Sequence, residues 1–104
     1  MTQHNKLVRD RIPEIIASKG GKADLCTLDS DEEFTLALTN KLVEEAHEVQ
    51  SDPGVEELAD LMEVAEALMK VLGISREELV KIKKEKVKKN GSFNDRQFLI
   101  STED

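Results

Sequence analysis

The sequence contains very few aromatic side chains and a single cysteine. It has no Trp and no Tyr, and its phenylalanines are Phe34, Phe93 and Phe98. Because single-stranded nucleic acids are bound largely by stacking bases on aromatic rings, we expect no nucleic-acid polymer among the partners of this chain. Cys26 has no second cysteine with which to form an internal disulfide, which indicates a reducing compartment such as the cytoplasm.

Long apolar segments are also missing. The first ten residues, MTQHNKLVRD, lack the apolar core of a signal peptide, and no apolar run approaches the ~20 residues of a membrane-spanning helix. We therefore expect a cytoplasmic protein that does not contact a membrane. A length of 104 residues suits one domain covering residues 1–104, with a small hydrophobic core that self-association would help to stabilise.

Charge is distributed unevenly along the chain, whose formal net charge is −7. Residues 1–22 contain five basic and two acidic groups, whereas residues 23–66 contain one basic and fourteen acidic groups. Residues 67–104 contain nine basic and six acidic groups. An acidic middle between two basic ends favours a protein that binds cations at one place and anions close by.

The pattern of caps and turns predicts an all-α fold built on a helical hairpin. Asp10 is the expected cap of a short first helix, with Pro13 in its first turn. The alternation in residues 22–29 fits a loop or a short strand, and of the two we expect an extended loop. Serine followed three residues later by glutamate opens two of the longer helices, at Ser30 and at Ser75. The predicted longer helices run from about 31 to 50, 55 to 72 and 76 to 89.

Two carboxylates on each helix of the predicted hairpin fall on its apolar side. At 100° per residue, Glu45 lies within the stripe of the first long helix and Glu48 at its edge, while Glu57 and Asp60 extend the stripe of the second. In an antiparallel hairpin, Glu48 then faces Glu57 and Glu45 faces Asp60. The two stripes consist of Phe34, Leu38, Leu42 and Val49, and of Leu61, Val64, Leu68 and Val71.

Four carboxylates that converge in a partly dry volume repel one another. Either their pKa values rise until some are neutral, or a divalent cation neutralises them. Oxygen ligands suit Mg²⁺ or Mn²⁺, and the absence of His and Cys from the set argues against zinc. The alternative is that both pairs are a solvated acidic surface, which is the commoner role of E-x-x-E on a helix.

The same residues resemble a known motif. Glu45-x-x-Glu48 followed by Glu57-x-x-Asp60 is similar to the E-x-x-E…E-x-x-D signature of the all-α nucleoside triphosphate pyrophosphohydrolases, which include MazG, dimeric dUTPases and phosphoribosyl-ATP pyrophosphohydrolase. The opening NKLVRDRIPEII and the closing KKNGSF…FL resemble the small MazG-like proteins in particular. One departure is that only eight residues separate Glu48 from Glu57, fewer than in MazG-type relatives.

The resemblance implies an all-α domain that forms a four-helix bundle on oligomerisation, as a homodimer or a dimer of dimers. It also implies Mg²⁺-dependent cleavage of a nucleotide between its α and β phosphates, which releases a monophosphate and pyrophosphate. The metal ligands implied by the motif are Glu45, Glu48, Glu57 and Asp60.

Further roles follow from the chemistry of a triphosphate substrate. Glu45, at the middle of its stripe, is the first candidate to orient or deprotonate the attacking water, and Glu44 is the second. Basic residues should neutralise the leaving phosphates, and those in family-like segments are favoured. The predicted substrate-binding residues are Lys6, Arg9, Lys86, Lys89 and Asn90.

Two other functions remain open at this stage. Phosphoribosyl-ATP hydrolysis in histidine biosynthesis would use the same metal site with a different substrate pocket. A helical dimerisation or regulatory module would need no catalysis. Leu36 and Val43, opposite the acidic stripe, are expected to contribute to an interface in each case.

Overall fold

The computed structural model describes residues 2–103, and within that range it contains four α-helices and no β-strand. The helices are α1 (Ile12–Ser18), α2 (Asp31–Ser51), α3 (Val55–Leu72) and α4 (Arg76–Asn90). The predicted all-α class is confirmed, and the three longer helices begin and end within one residue of their predicted bounds. Residues 22–29 are neither helix nor strand, in agreement with the predicted loop.

Side-chain caps set the starts of α2 and α4. The hydroxyl oxygen of Ser30 accepts a hydrogen bond from the Glu33 amide at 3.1 Å, and that of Ser75 accepts one from the Glu78 amide at 3.1 Å. These bonds satisfy amides that have no partner within the helix. The C-terminal end of α3 is set by Gly73, whose φ of +71° is readily adopted by glycine.

The predicted cap of α1 is wrong. Arg11, not Asp10, occupies the position before the helix, and no side chain caps it. A cap at Asp10 would need a free amide two or three residues later. The Ile12 amide already donates to the Arg9 carbonyl at 3.1 Å, and Pro13 has no amide hydrogen to donate. The carboxylate of Asp10 therefore has no donor to cap.

Helices α2 and α3 pack against each other as an antiparallel hairpin, because the connection between them is only residues 52–54. Leu38 of α2 and Val64 of α3 are buried at their contact. Burying an aliphatic side chain of this size contributes roughly 1.5–3 kcal/mol. Both predicted stripes are confirmed as the packed faces, and their remaining members are half-buried: Phe34, Leu42, Val49, Leu61, Leu68 and Val71.

The chain divides into two compact units, Met1–Gly73 and Ile74–Asp104. The first contains α1 and the hairpin. The second contains α4, which buries none of its side chains, followed by residues 91–103, which are not helical. Among the described residues, each helix is too short or too polar to cross a bilayer.

Candidate functional site

The acidic residues of the hairpin differ in exposure in the way that helical phase predicts. Glu45, Glu57 and Asp60 are half-buried, whereas Glu56 and Glu63, on other faces of α3, are exposed. The remaining member of the predicted set, Glu48, is exposed, in agreement with its place at the edge of the α2 stripe. Both helices of the hairpin therefore carry carboxylates beside their packed faces.

Lys41 lies one helical turn before Glu45 and forms an ion pair with it. The distance from Lys41 Nζ to Glu45 Oε1 is 3.6 Å, and only 17% and 12% of the two side chains are exposed. Lys41 Nζ also lies 3.4 Å from Glu44 Oε1. A carboxylate that is largely removed from water needs a nearby positive charge, and Lys41 supplies it to Glu45.

The segment before α1 crosses both helices of the hairpin. Arg9 Nη2 donates to Asp60 Oδ1 of α3 at 2.6 Å, and Lys6 Nζ lies 3.5 Å from Glu44 Oε1 of α2. These contacts span 51 and 38 positions of the sequence. Two groups of residues that were predicted separately, the basic start of the chain and the acids of the hairpin, thus lie on one surface.

The carboxylate of Glu57 is turned back over the start of its own helix. A Cβ atom built on Gly54 would lie 2.7 Å from Glu57 Oε1, so the carboxylate occupies the space that a larger residue at position 54 would fill. Glu57 is the third residue of α3. A negative charge is stabilised there by the unpaired amides and the dipole of the helix.

The donor atoms of the four predicted ligands suit a hard divalent cation, because all of them are carboxylate oxygens. Two of the four, Glu45 and Asp60, form ion pairs with Lys41 and Arg9, and no three Asp, Glu, His or Cys side chains in residues 2–103 lie together as a metal-binding group. For the four carboxylates to bind one ion together, Asp60 would have to release Arg9 and bind the ion instead. Glu57 would have to rotate away from Gly54.

The other predicted substrate-binding residues lie on the second compact unit. Lys86, Lys89 and Asn90 occupy the end of α4, where they are exposed. The basic residues Lys88 and Lys89 lie in the last turn, where they offset the negative end of the helix dipole. Their role in substrate binding stays a prediction.

Two features of this surface were missed by reasoning from the sequence. Lys41 was not predicted as the partner of Glu45, although an i, i+4 spacing on a helix is a direct signal for such a pair. The position of the Glu57 side chain was also signalled, by its place three residues after the residue that precedes α3.

No protein-family model, curated protein or solved structure matches the chain. The resemblance to the all-α pyrophosphohydrolases therefore stays a prediction from the quoted motifs. The case for a function depends on the residues of the hairpin surface and on their contacts.

Proposed function

We propose that the chain is a Mg²⁺-dependent nucleotide pyrophosphohydrolase with a house-cleaning role. It would cleave a (d)NTP or a related nucleotide between the α and β phosphates, releasing a nucleoside monophosphate and pyrophosphate. The observation that carries the proposal is that Arg9 and Lys6 lie against Asp60 and Glu44. Cation-binding and anion-binding groups, both of which a metal–triphosphate substrate needs, are thereby present on one surface of the first unit.

In this proposal, the carboxylates have two roles, binding the metal ion and activating the attacking water. Glu45, Glu48, Glu57 and Asp60 would hold Mg²⁺, or Mn²⁺ in its place. The bound ion would neutralise phosphate charge and make water a better nucleophile. Glu45 is the first candidate to orient or deprotonate that water, because its largely buried carboxylate is held in place by Lys41. Glu44, which Lys41 and Lys6 both approach, is the second.

The basic residues would bind the phosphates. Arg9 and Lys6 neutralise acids of the hairpin in the structure described here. If Mg²⁺ took the place of Arg9 on Asp60, the guanidinium would become free to contact the substrate. Lys6 would contact the substrate from beside Glu44, which is not one of the metal ligands. Arginine is well suited to this because its planar group donates two parallel hydrogen bonds to a phosphate. Lys86, Lys89 and Asn90 of α4 are the further candidates.

A second candidate function is a non-catalytic dimerisation or regulatory module. It is favoured by the contacts themselves, because Asp60 and Glu45 already have cationic partners, Arg9 and Lys41, without any ligand. A third candidate, phosphoribosyl-ATP hydrolysis, uses the same residues and differs in substrate alone. We propose a homodimer or a dimer of dimers in the cytoplasm for each of them.

The test is pyrophosphate release from a panel of dNTPs, modified NTPs and phosphoribosyl-ATP, measured with and without Mg²⁺. We expect Mg²⁺-dependent release from at least one of these nucleotides. Glu48→Gln and Asp60→Asn should each reduce turnover by at least ~100-fold, the loss typical of removing one charge-stabilising group. Phosphoribosyl-ATP as the preferred substrate would select the third candidate.

The matched controls are Glu56→Gln and Glu63→Gln, which remove exposed carboxylates from other faces of α3. Both controls should retain the activity of the original chain, and circular dichroism should show that all four variants are folded. Near-full activity of Glu48→Gln or Asp60→Asn would contradict the metal assignment. Failure of the whole panel to release pyrophosphate would favour the non-catalytic module.

A further inference from the structure

Helix α4 has an apolar strip that nothing in its own unit covers. Val80 and Val87 lie on one side of the helix, two turns apart, and with Lys83, Lys84 and Lys88 they line a shallow groove of about 390 Å³. Both valines are exposed. The apolar face of an amphipathic helix is usually packed against another element, so this strip is available to a partner.

The hairpin has a groove of opposite charge. It has a volume of about 490 Å³ and lies between the start of α2 and the end of α3. Leu36, Val71 and Leu72 supply its apolar part, and Asp31 and Glu32 supply its acidic border. Leu36 and Leu72 are exposed, so this groove also leaves large aliphatic side chains in contact with water.

The two grooves are complementary both in charge and in apolar character. The unit that contains the hairpin has seven basic and sixteen acidic residues, a net charge of −9, and the unit that contains α4 has eight basic and six acidic residues, a net charge of +2. Lysines bordering an aliphatic strip therefore match acids bordering an aliphatic groove. Association of such surfaces buries apolar area, and their opposite charges favour the correct orientation.

We propose that the partner of the hairpin groove is α4 of a second copy of this chain. In a two-fold dimer, each copy places its Val80–Val87 strip in the groove of the other, with Lys83 and Lys84 beside Asp31 and Glu32. Two identical contacts then form at once, and the arrangement closes without leaving a groove open for a third copy. This dimer does not depend on the proposed enzymatic activity, because the chain can dimerise in this way even if it releases no pyrophosphate.

Charge reversal of the full-length chain tests the pairing directly. One variant reverses the groove, Asp31→Lys with Glu32→Lys, and the other reverses the helix, Lys83→Glu with Lys84→Glu. By sedimentation velocity over a concentration series, we expect the original chain to be a dimer and each variant to dimerise at least ~10-fold more weakly. An equimolar mixture should recover dimers, because in a heterodimer the reversed groove meets the reversed helix and the other contact is unchanged.

An apolar pair of variants tests the location of the interface. Leu36 and Val43 lie on the same face of α2, two turns apart, with 63% and 56% of each exposed, but only Leu36 lines the groove. Leu36→Asp should weaken the dimer at least ~10-fold. Val43→Asp should change it less than ~3-fold, which departs from the expectation from the sequence that both residues contribute to an interface. Circular dichroism checks that every variant is folded.

Three results would overturn the proposal. The first is a chain that stays monomeric at every concentration, which is the result expected if α4 fills the groove of its own copy. The second is a mixture of the two charge-reversed variants that recovers no dimer. The third is a dimer that Val43→Asp weakens as much as Leu36→Asp does, since the interface would then be the wider face of α2.

Discussion

The guanidinium of Arg9 donates to the carboxylate of Asp60 at 2.6 Å, joining the segment before α1 to α3 of the hairpin. Both side chains are about half exposed. An ion pair in this setting contributes about 0–1 kcal/mol to stability, since water and salt screen it. The contact therefore places Arg9 on the acidic surface without holding Asp60 so tightly that a divalent cation could not replace it.

Arg9→Gln tests the two roles assigned to this arginine, which are pairing with Asp60 and binding a phosphate of the substrate. Removing the guanidinium frees Asp60, so we expect the affinity for Mg²⁺, measured by calorimetric titration, to increase about 2–5-fold, corresponding to the loss of up to ~1 kcal/mol of competing interaction. The KM for the nucleotide should rise, because a phosphate ligand is lost. Arg11→Gln is the control, since Arg11 pairs with Glu14 of α1 instead. Weaker Mg²⁺ binding by Arg9→Gln would contradict the competition.

Lys41→Met should destabilise the chain by about 1–3 kcal/mol, because it leaves the largely buried Glu45 carboxylate without its nearest cation. Methionine has a helix propensity close to that of lysine, so α2 itself is little affected. Glu45→Gln should cost less, and the double variant should be more stable than Lys41→Met alone. Urea unfolding of the two single variants and the double variant measures this coupling. Strictly additive losses would mean that the two side chains do not interact.

Gly54→Ala should displace the Glu57 carboxylate, because the added Cβ would lie 2.7 Å from Glu57 Oε1. The carboxylate is the end of a flexible side chain, and φ at Gly54 is −166°, so the backbone accepts alanine without strain. We expect a change in the free energy of unfolding within about 1 kcal/mol. Mg²⁺ binding should tighten by about 2–3-fold, since α3 no longer competes for this carboxylate. Unchanged Mg²⁺ binding in a folded Gly54→Ala protein would show that Glu57 is not a ligand.

The two serine caps allow the stability of the units to be compared. Ser30→Ala and Ser75→Ala each remove a 3.1 Å hydrogen bond from a helix start, at a cost of about 1 kcal/mol. Amide hydrogen exchange should show faster exchange through the whole hairpin for Ser30→Ala, because α2 and α3 pack together. For Ser75→Ala the faster exchange should be confined to α4. Equal effects of both variants on every helix would mean that the two units unfold together.

The sequence predicts local features of this fold well. Capping residues can be recognised from the sequence itself, so the ends of three helices were predicted to within one residue, as at Ser30, Ser75 and Gly73. The helical phase of α2 and α3 also distinguishes the half-buried Glu45 and Asp60 from the exposed Glu63. The predicted cap at Asp10 was wrong because the Ile12 amide donates to the Arg9 carbonyl and not to the Asp10 side chain.

Contacts between parts of the chain that are distant in sequence were not predicted. Nothing in helical periodicity indicates that the extended segment before α1 crosses the hairpin, because that segment has no period of its own. The pairs Arg9–Asp60 and Lys6–Glu44 depend on how the chain returns on itself, which the structure supplies and the residue pattern does not. For the same reason, the four carboxylates were predicted to lie together, but the pairing of Asp60 with Arg9 was not predicted.

The central claim is that acids of α2 and α3 bind one divalent cation together, and Mn²⁺ titration followed by amide NMR tests it most directly. Paramagnetic Mn²⁺ broadens only signals near its binding site. We expect selective broadening around Glu45, Glu48, Glu57 and Asp60 at substoichiometric Mn²⁺, reversed by excess Mg²⁺ and lost in Asp60→Asn. Equal broadening at the acidic start of α2, residues 31–33, would show a diffuse polyanion and contradict the account.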